Sequence, residues 1–241
     1  MMTEVQENEV TDYLIFQKLP LDILLEVKDH MMSQISDIER KDNLNFDEAF
    51  IKTKRLWENE FKMTSYSVFY SEPIPVIVKK IIKGNNHKML KKSFLFALIS
   101  FIINLLLIYS STSEEQYAVF FKVQNSIFFL APVIVWAFHY KIRKFIRTDF
   151  KYKGKLFYTM YQQNIGLLVI CLMSMAQVIT KDGKSIYLFF KIQHYDELIS
   201  VLISLVFIFM LQTFMIFGLF NFFEHKKSLK KLQDFLQPAV S

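Results

Sequence analysis

One acid–histidine grouping lies on a regular element: Asp29-His30, with Asp37 and Glu39 further along. Glu26 stands four residues before His30, so the two share one helix face and supply half of a metal-binding pattern. A metal site wants a third ligand, and the neighbouring sequence offers none. A hydrogen-bonded helix pair uses the same residues. His87, His139, His194 and His225 lie near the ends of apolar stretches, on different sides, and do not assemble into one site. No phosphate-binding glycine loop, dinucleotide fingerprint, nucleophile elbow or paired-cysteine motif occurs. Lys181-Asp182-Gly183-Lys184 reads as a turn, since it lacks the glycines and the soluble helix of a phosphate loop. Cys171 is the lone cysteine, has no His or Lys nearby to lower its pKa, and reads as a small packing residue. No catalytic residue, metal or cofactor is expected.

A second polar set interrupts the apolar part of the chain: Asn104, Gln124, Asn125, Gln162, Gln163, Asn164, Gln177 and Gln212. No Asp, Glu or Arg accompanies these amides, which argues against a proton-coupled transporter or pump. Two readings stay open. The amides can hydrogen-bond between helices, or Asn104, Asn125, Gln163 and Asn164 can line a polar path for a neutral solute. Three consecutive amides at 162–164 cannot all face one neighbour.

These groups need elements to position them. Four apolar stretches, at residues 93–109, 117–139, 156–180 and 198–223, are long enough to cross a bilayer. Lys79, Lys80, Lys83, Lys88, Lys91 and Lys92 precede the first, while only Glu114 and Glu115 separate it from the second. Basic residues from Lys141 to Lys155 crowd the next link, and Lys226, Lys227, Lys230 and Lys231 follow the fourth stretch. Basic loops stay cytoplasmic during insertion, so both termini are expected inside. The acidic start has no apolar signal region, and the first stretch is expected to act as an internal signal-anchor. The net charge of +6 then reflects topology and attraction to anionic headgroups, not nucleic acid. Lys122 should snorkel, Pro132 should kink the second helix, and eight tyrosines and tryptophans mark the interfaces. Residues 186–190, Ile-Tyr-Leu-Phe-Phe, form either an interfacial segment or a docking patch for another envelope protein.

Residues 1–62 read as three helices. The first, over 7–18, has a weak apolar stripe; Pro20 opens the second. Leu21, Leu24, Leu25, Met31, Met32, Ile35 and Ile38 recur at helical spacing before Asn43, a left-handed cap residue. Asn45 and Glu48 make a capping box for the third, whose inner face is Phe46, Ala49, Phe50, Thr53, Trp57 and Phe61. Residues 63–92 are a linker: Pro73 and Pro75 stop any helix over 63–70, residues 76–83 form a basic amphipathic segment, and Gly84-Asn85-Asn86 breaks it. Residues 224–241 are a tail.

Glu26-Val27-Lys28-Asp29-His30, followed by Asn43-Leu44-Asn45-Phe46-Asp47-Glu48-Ala49, resembles the short helical domain of bacterial permease-prefix and HAAS-type signalling proteins. Asn43 stands at that family's turn Gly and Asn45 at its Ser cap; Trp57-Glu58 departs from its Phe-Gly ending. The resemblance covers about residues 10–60 and implies a cytoplasmic interaction or regulatory module on a membrane unit, without catalysis. The four-span part looks like uncharacterised bacterial inner-membrane proteins. The expected fold is all-α: a three-helix cytoplasmic head plus a four-helix transmembrane bundle. The expected protein is a non-enzymatic, multi-pass adaptor, scaffold or regulator of the bacterial inner membrane. Its head would bind a protein partner around Asp29, His30, Arg55 and Trp57, although Trp57 suits the helix core equally. Self-association is open. The alternative is a transporter or transporter subunit for a neutral solute. A lipid-acting enzyme would instead need titratable groups clustered at one interface.

Overall fold

The structure is a computed structural model that describes residues 2–66, 73–148, 156–192 and 198–236. It divides into two compact units, each assembled from separate parts of the chain. One is drawn from Met1–Asn85, Ile142–Gln163 and Glu224–Ser241; the other from Asn86–Lys141 and Asn164–Phe223.

In the first unit, α1 (Glu4–Phe16) starts at Thr3, whose hydroxyl accepts from the Gln6 amide while the Gln6 side chain accepts from the Thr3 amide. This box starts the helix before the expected residue 7. Pro20 is the N-cap of α2 (Leu21–Asp42), which ends at Asn43 with φ 53°, the left-handed cap expected there. The Asn45–Glu48 box opens α3 (Phe46–Phe61) as its sequence requires. The inner faces meet through Val10, Leu14, Leu24, Met31, Ile35 and Phe50, all buried. Tyr13 sets its ring edge-on to Phe50 and Phe61, at 5.8 and 5.9 Å.

These helices do not close their core alone. Val78, Ile82, Leu156, Leu229 and Leu232 belong to the same buried cluster. Fully burying one such side chain contributes about 1.5–3 kcal/mol, so the later segments supply a substantial share of the core. A two-residue antiparallel ladder, β1 (Met63–Thr64) with β2 (Ile74–Pro75), joins the end of α3 to the next helix. Residues 67–70 of the stretch expected to be cut short by Pro73 and Pro75 lie outside the described residues.

The next helix corrects the expected linker. α4 runs unbroken from Val76 to Ser110, through Gly84-Asn85-Asn86. A glycine in a helix interior costs roughly 1 kcal/mol relative to Ala, too little to end a helix anchored by buried Val78, Ile82 and Met89. α5 (Glu114–Phe138) starts on a Ser113 cap and retains Pro132 in its interior. A short 3-10 turn at Tyr140–Phe145 follows. α6 (Gln162–Thr180) starts later than residue 156, because the intervening backbone is committed to α2.

Residues 186–190 fall within α7 (Lys184–Ile192). Its apolar face is covered within its own unit: Ile186 and Tyr187 are buried, and Tyr187 stacks on Tyr117 at 5.9 Å. Lys184 pairs with Glu114 at 3.1 Å, and Lys191 donates to the Tyr109 carbonyl. α8 (Leu198–Leu236) continues well past the expected end of the fourth span. Lys122, expected to snorkel, pairs with Asp182 at 3.8 Å.

Four helices, α4, α5, α6 and α8, are long and apolar enough to cross a membrane. They expose Leu106, Ile127, Ile170, Met173, Ile199 and Val206, a surface that suits lipid.

Candidate functional site

The most unusual polar arrangement forms where residues 156–163 meet the start of α2. The first amides of a helix have no partner in their own helix. Here the Leu21 amide donates to the Phe157 carbonyl at 2.9 Å, and that of Asp22 to the Tyr158 carbonyl at 3.3 Å. The Asp22 carboxylate returns the connection. It accepts from the Met160 amide at 3.2 and 3.3 Å and from the Ile23 amide at 3.0 Å. The result is a two-way clamp between segments 138 residues apart.

Asp22 is partly exposed as a residue, but its carboxyl is turned into the clamp. Burial pushes that carboxyl up to about 7; the Met160 and Ile23 amides pull the other way, and Glu26 adds to the rise. The carboxyl therefore changes charge near neutrality. Tyr161 lies close by, its hydroxyl accepting from Asn85 at 3.3 Å. Burial raises its phenol to about 12, helped by the negative charges of Glu224, Asp22 and Glu26. Gln162 ties the segment down, donating to the Ile146 carbonyl at 2.6 Å and accepting from the Tyr158 amide at 2.9 Å.

The α8 extension contributes His225, which is fully buried. Its Nδ1 lies 2.7 Å from the Thr159 hydroxyl, while Nε2 has no hydrogen-bond partner among the described residues. A fully buried ring offers no face to a substrate. The carboxyls around Tyr161 are the nearest approach to a titratable cluster, and the polar contacts of Asp22 are with backbone amides. The arrangement holds segments together around a carboxyl whose proton affinity burial raises.

The residues singled out from the sequence are distributed differently. Asp29, His30 and Arg55 are exposed, and no hydrogen bond or ion pair joins them among the described residues. Trp57 is partly buried; its indole donates to Gln34 at 2.8 Å and stacks on Phe61 at 5.6 Å. Glu26 and His30 are both exposed. Among the described residues, no group of three or more His, Cys, Asp or Glu is placed to hold a metal.

In the second unit most of the amides pair with other amides. Asn104 donates to Gln124 at 2.9 Å and accepts from the Tyr117 hydroxyl at 3.2 Å. Gln124 donates onward to Ser100, and Gln212 donates to Asn125 at 3.2 Å. Asn164 bridges α4 and α8, donating to Asn86 at 3.2 Å and Asn221 at 3.0 Å. Gln163 is half-buried and shares none of these bonds. A groove of about 420 Å³ between α4 and α5 is almost wholly apolar and includes Gln124 among its lining residues.

Asp22 and His225 were not legible as partners of residues 156–163. Asp22 looks like an ordinary acidic residue in the first turn of a helix, where the dipole favours it. His225 looks like a surface residue at the end of a span. Comparison of the chain with protein-family models, curated proteins and solved structures finds no match.

Proposed function

We propose that the chain is a non-enzymatic, membrane-anchored adaptor or regulator of the bacterial inner membrane, with both termini cytoplasmic. In this reading the α1–α3 head receives a protein partner on the surface carrying Asp29, His30 and Arg55. One observation carries the proposal: the clamp at Asp22 fastens the head to residues 157–160, which lead directly into α6. A partner that shifts α2 pulls on backbone immediately before a membrane-crossing helix. The basic residues flanking the spans support the orientation. The pairing of Asn104 with Gln124, Asn125 with Gln212 and Asn164 with Asn221 supports a packing role over a solute path.

The test uses the full chain, because removing 1–62 would strip buried contacts from Leu156 and Leu229. Wild type and an Asp29→Lys, Arg55→Glu variant are expressed at equal levels in membranes and cross-linked. A near-stoichiometric protein captured by the wild type and lost with the variant is the expected result. Identical captured sets, or none, would remove the adaptor reading.

A further inference from the structure

A small cavity of about 120 Å³ lies in the second unit, among α6, the turn after it, α7 and α8. Its lining is divided by chemistry. Val178, Ile186, Phe207 and Ile208 supply apolar wall, while Ser174, Gln177, Lys181, Ser200 and Ser204 supply polar groups. The spacing accounts for this. Positions 174, 177 and 181 recur on one face of a helix and the turn that follows it, and 200 and 204 stand one turn apart on α8.

These polar groups differ from several others in the unit. Ser93, Ser111 and Thr213 each donate to the carbonyl four residues earlier, and the amides Asn104, Gln124 and Asn164 are paired. The side chains of Ser174, Gln177, Ser200 and Ser204 make no hydrogen bond among the described residues. Around the cavity the cations differ too. Lys122 pairs with Asp182, Lys184 with Glu114, and Lys191 with the Tyr109 carbonyl. Lys181 has no such partner among the described residues, and no carboxylate lines the cavity.

Several uncommitted neutral donors, one unneutralised ammonium and no acid match an anion rich in acceptor oxygens. The adjoining apolar wall and the exposed Ile203 and Phe207 suit a ligand with a hydrocarbon part. We propose that this cavity binds a glycerol-phosphate ester, with the phosphate oxygens on Lys181, Gln177 and the serines. The ester is carried either by an anionic phospholipid headgroup or by a soluble molecule.

Native mass spectrometry of the full chain, purified in neutral detergent, tests this. Equal amounts of phosphatidylglycerol and phosphatidylcholine are offered to wild type, Lys181→Gln and Lys41→Gln. Wild type should retain phosphatidylglycerol preferentially. Lys181→Gln should reduce that preference about fivefold, the factor one basic residue contributes at a lipid surface. Lys41→Gln, at the end of α2 and far in sequence from every apolar stretch, should leave it unchanged. Lys181 and Lys41 are both exposed, so neither change disturbs packing. Adding glycerol 3-phosphate separates the sources: displacement of the lipid assigns the site to the phosphate ester itself, and persistence assigns it to the whole lipid. Equal retention of the two lipids by wild type overturns the proposal. So does a preference that survives Lys181→Gln or is lost with Lys41→Gln.

Discussion

Replacing Asp22 by Asn tests whether the clamp responds to protons. The amide keeps an acceptor oxygen for the Ile23 and Met160 amides and removes the charge that burial disfavours. The sign follows from linkage. A carboxyl at about 7 in the closed clamp and about 3.8 when open binds more protons closed than open, so closure is favoured at low pH and weakens as pH rises. Its contribution is fully present below the open-state value, declines from about pH 4, and levels off above about 7. Between pH 5 and 8 these two values give a loss of about 2.6 kcal/mol, or roughly 80-fold in the closing equilibrium. Hydrogen–deuterium exchange of the full chain in nanodiscs reads this directly. After correction for intrinsic exchange, peptides covering 19–24 and 157–163 should lose protection from pH 5 to 8 in the wild type. Asp22→Asn should hold its protection across the same range, while peptides from α3 behave alike in both chains. Parallel pH profiles in the two chains would refute the assignment of the titrating group.

Asn164→Leu removes donors to both Asn86 and Asn221 and should lower stability by about 1–2 kcal/mol, measured by thermal unfolding in detergent. An unchanged melting temperature would mean that these bonds contribute nothing net. Gly183 has φ +69°, and an added Cβ would lie 2.8 Å from the Phe121 ring. Gly183→Ala should therefore destabilise by at least about 1 kcal/mol, and shortening the ring with Phe121→Leu should restore part of the loss. Retained stability in Gly183→Ala would show that the turn can relax. For orientation, Thr112→Cys should react with a membrane-impermeant maleimide applied outside intact cells, and His30→Cys only after lysis. Cys171 is buried and gives little background. The reverse pattern would invert the topology.

What was readable in advance was local. The Asn45–Glu48 box and the Asn43 cap involve neighbours a few residues apart, so spacing alone defines them. The four membrane-crossing helices are matters of length and composition. The Thr3–Gln6 box is equally local, yet the stripe over 7–18 drew the boundary inward. The Gly84-Asn85-Asn86 break failed because packing on either side outweighs the propensity of a single turn. The polar constellation was out of reach for another reason. Asp22 and Met160 are 138 positions apart, and Thr159 and His225 are 66 apart. Neither pairing leaves a periodic trace, and each residue has an ordinary local explanation. The amides at 162–164 showed only that they could not share one neighbour. The structure sends Gln162 to Ile146 and Asn164 to Asn86 and Asn221.

The shared core of the first unit also imposes a timetable on biosynthesis. Leu14, Met31 and Ile35 leave the ribosome about 200 residues before Leu229 and Leu232, which pack in the same cluster. At about 5–20 residues per second the interval is roughly 10–40 s. During that time the early helices lack part of their apolar cover, while all four membrane-crossing segments are being synthesised. Closure of the unit therefore waits for the far end of α8. A chain that stalls or is cut before α8 leaves this core unfinished, a form that chaperones and proteases recognise.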